Sequence, residues 1–229
     1  MLVLSVVNML EEAASSDNVE YLGGNISDLD NLFDPANLAC LNEFADALCF
    51  LAFHPTADRA LADYVRSGTL PDDSGPRTLV MFTLDQPVPG AVRVGSDSMR
   101  VWAEITAGVH PAYEAVRALY AGQPAPPLPG LVLFDDLAHG ERTIYLPLAS
   151  LTSEQDVRAH LRQVFSLVDH VVAGAKPGRF LDDLGYALRK HGLAFHRTGR
   201  TPVREWLLRV VQLARKHRGD VVSVIGLLK

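Results

Sequence analysis

The chain has 229 residues, enough to bury a substantial core, and its 48% hydrophobic and 21% charged content is that of an ordinary globular protein. No apolar run approaches the ~20 residues that span a bilayer, and the apolar opening MLVLSVVNML lacks the basic flank and small-residue cleavage site of a secretory signal. The formal net charge of −6 conceals a gradient: residues 1–75 hold thirteen Asp/Glu against two Lys/Arg, residues 76–173 ten against seven, and residues 174–229 four against twelve.

These numbers divide the chain into an acidic, helical region (1–75), an α/β core (76–173) and a basic, helical tail (174–229), expected to pack as one globular unit. Opposed charges of this kind suit contact between protomers, contact with a protein partner, or attraction within the chain. Cys40 and Cys49 stand nine apart, about 13 Å along a helix, which is too far for a bridge. They read as small buried hydrophobes in a reducing compartment, so a cytoplasmic location is expected.

In chain order, SVVNMLEEAAS and PANLACLNEFADALCFLAF carry apolar residues near three- and four-residue spacing, the pattern of helices. HPTADRALADYVRSG continues it, with Ala57, Ala60, Leu61, Tyr64 and Val65 on one face, and LPDDSGPR reads as a loop. TLVMFTL and MRVWAEI are strand-like. A helix from HPAYEAVRALY comes next, then the stiff linker QPAPPLPG. LVLF and TIYLPL form a strand pair across DDLAHGER. TSEQDVRAHLRQVFSLVDHVV is a long helix, its capping box assigned to Thr152 and Gln155 and its buried stripe to Val157, Leu161, Val164, Phe165 and Val168.

In the tail, RFLDDLGYALRKHG reads as a helix with Asp182 and Asp183 at its positive end and Arg189 and Lys190 at its negative end. TPVREWLLRVVQLARKHRG is a second, with Thr201 as N-cap, Pro202 at N1, and Trp206, Leu207, Val210, Val211 and Leu213 facing inward. VVSVIGLL reads as a last strand. The expected class is α+β: a mainly antiparallel or mixed sheet flanked by helices.

The order VWAEIT, HPAYEAVRALY, PLPGLVLF, RTIYLPL and SEQDVRAHLRQVF resembles the second half of a thioredoxin-like domain. Residues 101–172 carry the resemblance, and Pro129 stands where that family has a cis-proline ahead of a strand. Other α+β sandwiches with ββαββα order are equally compatible. The family's redox centre is a Cys-x-x-Cys that follows a strand and opens a helix. After TLVMFTL this chain has DQPVPGAVRVG and no cysteine. The resemblance therefore implies a redox-inactive, protein-binding version.

Candidates for chemistry fall into three groups: two histidines, the acids on or after strands, and the basic tail. His54 and His110 each precede a proline and stand ten residues before a tyrosine. A catalytic or metal role requires them to meet with acids such as Asp58 and Glu114 nearby. Against that, Pro at N1 and an acid in the first turn are the ordinary grammar of a helix start, which is favoured. Asp97 and Glu104 resemble a nuclease carboxylate pair, but Thr106 stands where such sites usually carry Lys. Asp85, Asp135 and Asp136 follow apolar strands, where acids can bind a divalent cation; turn chemistry explains the last two.

The third group is the basic tail: Arg189, Lys190, Arg197, Arg200, Arg204, Arg209, Arg215, Lys216 and Arg218 are candidates for a partner or an anion. Residues 176–218 would be the nucleic-acid interface if there is one. No phosphate-binding glycine loop, nucleophile elbow or zinc-spaced Cys/His cluster is present, and no cofactor is expected. The sequence favours a non-enzymatic protein-binding or self-assembling protein. Nucleic-acid binding is the alternative, and a metal-dependent hydrolase using Glu104 with Asp97 or Asp135 the second. No membrane partner is expected.

Overall fold

The computed structural model describes residues 2–5, 45–82, 111–120, 124, 126–136, 139–174, 178–199, 201–210 and 212–213. Among these residues six strands form one mixed sheet: β1 (Leu2–Ser5), β2 (Ala47–Ala52), β3 (Thr78–Phe82), β4 (Gly130–Phe134), β5 (Arg142–Pro147) and β6 (His196–Gly199). Their spatial order is β1-β3-β2-β4-β5-β6. β1 and β2 run parallel to β3 on either side of it, and β2–β4, β4–β5 and β5–β6 are antiparallel. The α+β class and the mixed sheet agree with the sequence.

Among the described residues six helical segments accompany the strands: α1 (Arg59–Arg66), α2 (Leu70–Ser74), α3 (Pro111–Leu119), α4 (Glu154–Gly174), α5 (Phe180–Lys190) and α6 (residues 203–210). They cover both faces of the sheet. Because side chains alternate along a strand, Ala47, Cys49 and Leu51 of β2 join α1, α2, α4 and α5 in one core layer. Leu48, Phe50 and Ala52 join α3 and α6 in the other. All of β2, β3 and β4 is buried as a result.

That double burial explains the main departure from the expected elements. ALCFLA was expected inside a helix and is strand β2, so the acidic first third is not wholly helical. A strand covered on both faces is continuously apolar, and its pattern does not differ from that of a buried helix. LPDDS, expected as a loop, is the short helix α2, and β6 was not anticipated. The expected strands at residues 99–105 and 221–228 lie outside the described residues.

The long helix α4 buries the expected stripe, Val157, Leu161, Val164, Phe165 and Val168, together with Val171. Its cap is one residue later than expected. Ser153 Oγ accepts the Asp156 amide at 3.1 Å and donates to Asp156 Oδ2 at 2.6 Å, so Ser153 and Asp156 fill the roles assigned to Thr152 and Gln155. On the opposite face Trp206 of α6 packs against Phe50 and Phe134, and its indole N–H donates to Ala115 O at 2.7 Å. α2 is tied to α4 through Asp73. This carboxylate is 2% exposed and meets Arg158 Nε at 3.0 Å and Arg162 Nε at 3.1 Å.

Candidate functional site

The β2–β4 register pairs Ala52 with Gly130 and Leu48 with Phe134. One end of the sheet therefore gathers the residues just after β2 and just before β4, namely His54 and Pro129. The other end gathers those just before β2 and just after β4, namely Asp46 and Asp135. His54 and Asp135 are separated by the length of β4 and share no cleft.

At the first end, the Leu128–Pro129 peptide is cis. The loop that carries it is held by Tyr145, whose hydroxyl donates to Pro127 O at 2.7 Å. Close by, His54 organises the turn that leads into α1. Its Nδ1 accepts the amides of Thr56 (3.2 Å) and Ala57 (3.4 Å) and lies 3.0 Å from the Thr56 hydroxyl. Its own amide donates to Asp58 Oδ2 at 2.6 Å, while the Asp58 amide donates to His54 O at 2.9 Å. This reciprocal pattern closes the turn of residues 54–58; Asp58, the residue before α1, makes no side-chain cap bond to the helix.

Asp58 Oδ2 also accepts the hydroxyl of Tyr113, from the first turn of α3. The two His-Pro segments thus meet through Asp58 and Tyr113, a pairing that their spacing did not indicate. Burial and the hydrogen bond to Asp58 raise the Tyr113 hydroxyl above the usual phenol range. Pro111 opens α3 as expected of Pro at N1, whereas Pro55 lies in a turn four residues before α1 begins. His110 is outside the described residues. The assembly at this end is a junction between two helix starts.

At the second end, a cavity of about 580 Å³ is bordered by Asp46, Asp135, Asp136, His139, Arg142 and Phe180 among others. Asp135 Oδ1 is buried without a hydrogen-bond partner, and Oδ2 lies 3.5 Å from Arg142. Burial raises the Asp135 carboxyl above its ordinary range. Among the described residues no group of three or more His, Cys, Asp and Glu is placed to hold a metal ion. Asp85, Asp97 and Glu104 lie outside the described residues.

The basic candidates divide between the two faces of the sheet. Arg189, Lys190 and Arg197 belong to α5 and β6, Arg204 and Arg209 to α6 on the opposite side. Arg200, Arg215, Lys216 and Arg218 lie outside the described residues. Arg197 crosses α5 at Gly185, where a β-carbon would come within 2.3 Å of its guanidinium. There it pairs with Asp182 at 3.1 Å and donates to Leu181 O at 3.3 Å. Arg142 meets the same Asp182 at 3.1 Å, and these two hydrogen-bonded guanidiniums hold its carboxyl below the usual range. Arg189 and Arg197 both lie over the Phe195 ring, at 5.6 and 6.0 Å.

Between these charges stands Tyr186, 72% exposed and the one exposed large apolar side chain among the described residues. α5 buries Phe180, Leu181, Leu184, Gly185 and Leu188, so its outward stripe is Arg179, Asp182, Asp183, Tyr186, Arg189 and Lys190. Periodicity located the helix and its charges. The aromatic at their centre carried no signal of its own, since a tyrosine can lie on either face. No helix among the described residues is long and apolar enough to cross a membrane. No family model, curated protein or solved structure matches the chain.

Proposed function

We propose that the chain is a non-enzymatic protein-binding or self-assembling module on a thioredoxin-like scaffold that carries no Cys-x-x-Cys pair. The observation that carries this reading is the outer face of α5. There an exposed tyrosine is flanked by acids on one side and bases on the other. Tyrosine and arginine are the residues that dominate contact surfaces, because each presents a rigid, partly apolar group with a polar end.

Two features support the scaffold. α3, Pro129, β4, the antiparallel β5 and α4 succeed one another in the order of the family's second half. The strand-to-helix junction nearest Pro129 is β2 to α1, not the segment after TLVMFTL, and it reads His54-Pro55-Thr56-Ala57. A Cys-x-x-Cys is missing from that junction as well. Cys49 lies in the middle of β2, fully buried, and burial raises its thiol far above the reactive range. A free, buried cysteine also suits the proposed cytoplasmic setting.

The test is a photo-cross-linking amino acid at position 186 of the full chain in cells, with the exposed Gln163 of α4 as control. A discrete protein adduct from position 186 alone is expected. Equal labelling from both positions, or no adduct, overturns the reading.

A further inference from the structure

The outward stripe of α5 is self-complementary. About Tyr186, Asp182 and Lys190 stand four residues either side and Asp183 and Arg189 three. When two copies of a helix pack antiparallel about a two-fold axis, residues equidistant from the axis face each other. With the axis at Tyr186, Asp182 meets Lys190 of the second copy, Asp183 meets Arg189, and the two tyrosines meet at the centre. At 1.5 Å per residue the charges sit about 4.5 and 6 Å along the axis from Tyr186, within reach of a helix 8–10 Å away.

We infer that the occupant of this face is a second copy of the chain, docked through an antiparallel α5–α5 contact centred on Tyr186; the inference rests on the protein-binding reading above. The helix dipole alone favours acids at the first turn and bases at the last. It does not account for a 72% exposed tyrosine midway between them. The charged groups remain accessible to a second copy: Asp182 is 43% and Asp183 40% exposed, and among the described residues Arg189 and Lys190 have no ion pair. Asp182 is already held at 3.1 Å by both Arg142 and Arg197, whereas Asp183 has only the longer 3.5 Å contact with Arg179, so the Asp183–Arg189 pair is the better lever.

The experiment measures association by light scattering over a concentration series, for the native chain and for Asp183→Arg and Arg189→Asp, with circular dichroism to verify folding. Each reversal creates two like-charge contacts across the axis and should raise Kd about ten-fold or more. Mixing the two variants pairs a chain basic at both 183 and 189 with one acidic at both, and should restore association as a mixed dimer. If a reversal melts α5, the neutral variants Asp183→Asn and Arg189→Gln replace it, with a smaller rise in Kd. A native chain that stays monomeric, reversals without effect, or a mixture no tighter than its components overturns the inference. A monomeric chain that still cross-links from position 186 to another protein overturns the second copy but leaves the binding reading intact; no adduct removes both.

Discussion

At Gly130 the ring of Tyr145 lies where a β-carbon would sit, 2.2 Å away, and its hydroxyl is anchored on Pro127 O. The ring crosses from β5 and cannot withdraw without giving up that bond. Gly130→Ala is therefore expected to cost about 1–3 kcal/mol by overpacking, measured as a lowered midpoint in urea with an unchanged slope. Asp135 argues in the other direction. Burial raises its carboxyl above the ordinary value of 3.8, so at pH between 3.8 and that raised value the folded chain holds a proton that the unfolded chain has released. The stability that this proton confers is complete below 3.8 and is lost as pH rises through the folded value. Asp135→Asn should then unfold later than the native chain at pH 7, with the gap closing toward pH 3. A gap that widens in acid contradicts the assignment.

Elements were legible where one face is polar and illegible where neither is. α4 and α5 alternate apolar and charged stripes, and the extents of both, the buried face of α4 and the terminal charges of α5 were readable from residue spacing. β2 could not be distinguished because Leu48, Phe50 and Ala52 are buried as fully as Cys49 and Leu51. α2 escaped for a different reason. Five residues containing Pro71, Asp72 and Asp73 have loop composition, and the forces that hold them helical are tertiary. Tyr64 bonds Asp73 at 3.2 Å, and Arg158 and Arg162 close on it from α4. Asp73→Ala should cost about 1–3 kcal/mol, since hydrogen bonds to a charged group are lost. Amide exchange in residues 70–74 should accelerate well before that of α4. Equal acceleration in both helices would mean that Asp73 serves the whole core and not this one joint.

At the scale of the molecule, charge was legible as a gradient along the chain but not as a surface. Arg197 and Asp182 are fifteen residues apart and meet only because β6 returns beside α5; Arg204 and Arg209 go to the other face. The His-Pro pair shows the same limit. The local spacing suggested two helix starts, and their meeting through Asp58 and Tyr113 depends on strand order, which no local pattern encodes. On α5 the fold leaves a charge-symmetric stripe outward, through which two copies would make contact. Exposed ion pairs weaken as salt screens them, over about 10 Å at 0.1 M and 3 Å at 1 M. Sedimentation of the native chain decides whether this contact forms. At low salt the mass should rise with concentration from the 24.9 kDa monomer toward twice that value, and it should fall back in roughly 0.5 M salt. A mass of 24.9 kDa at every concentration and both salts would contradict it.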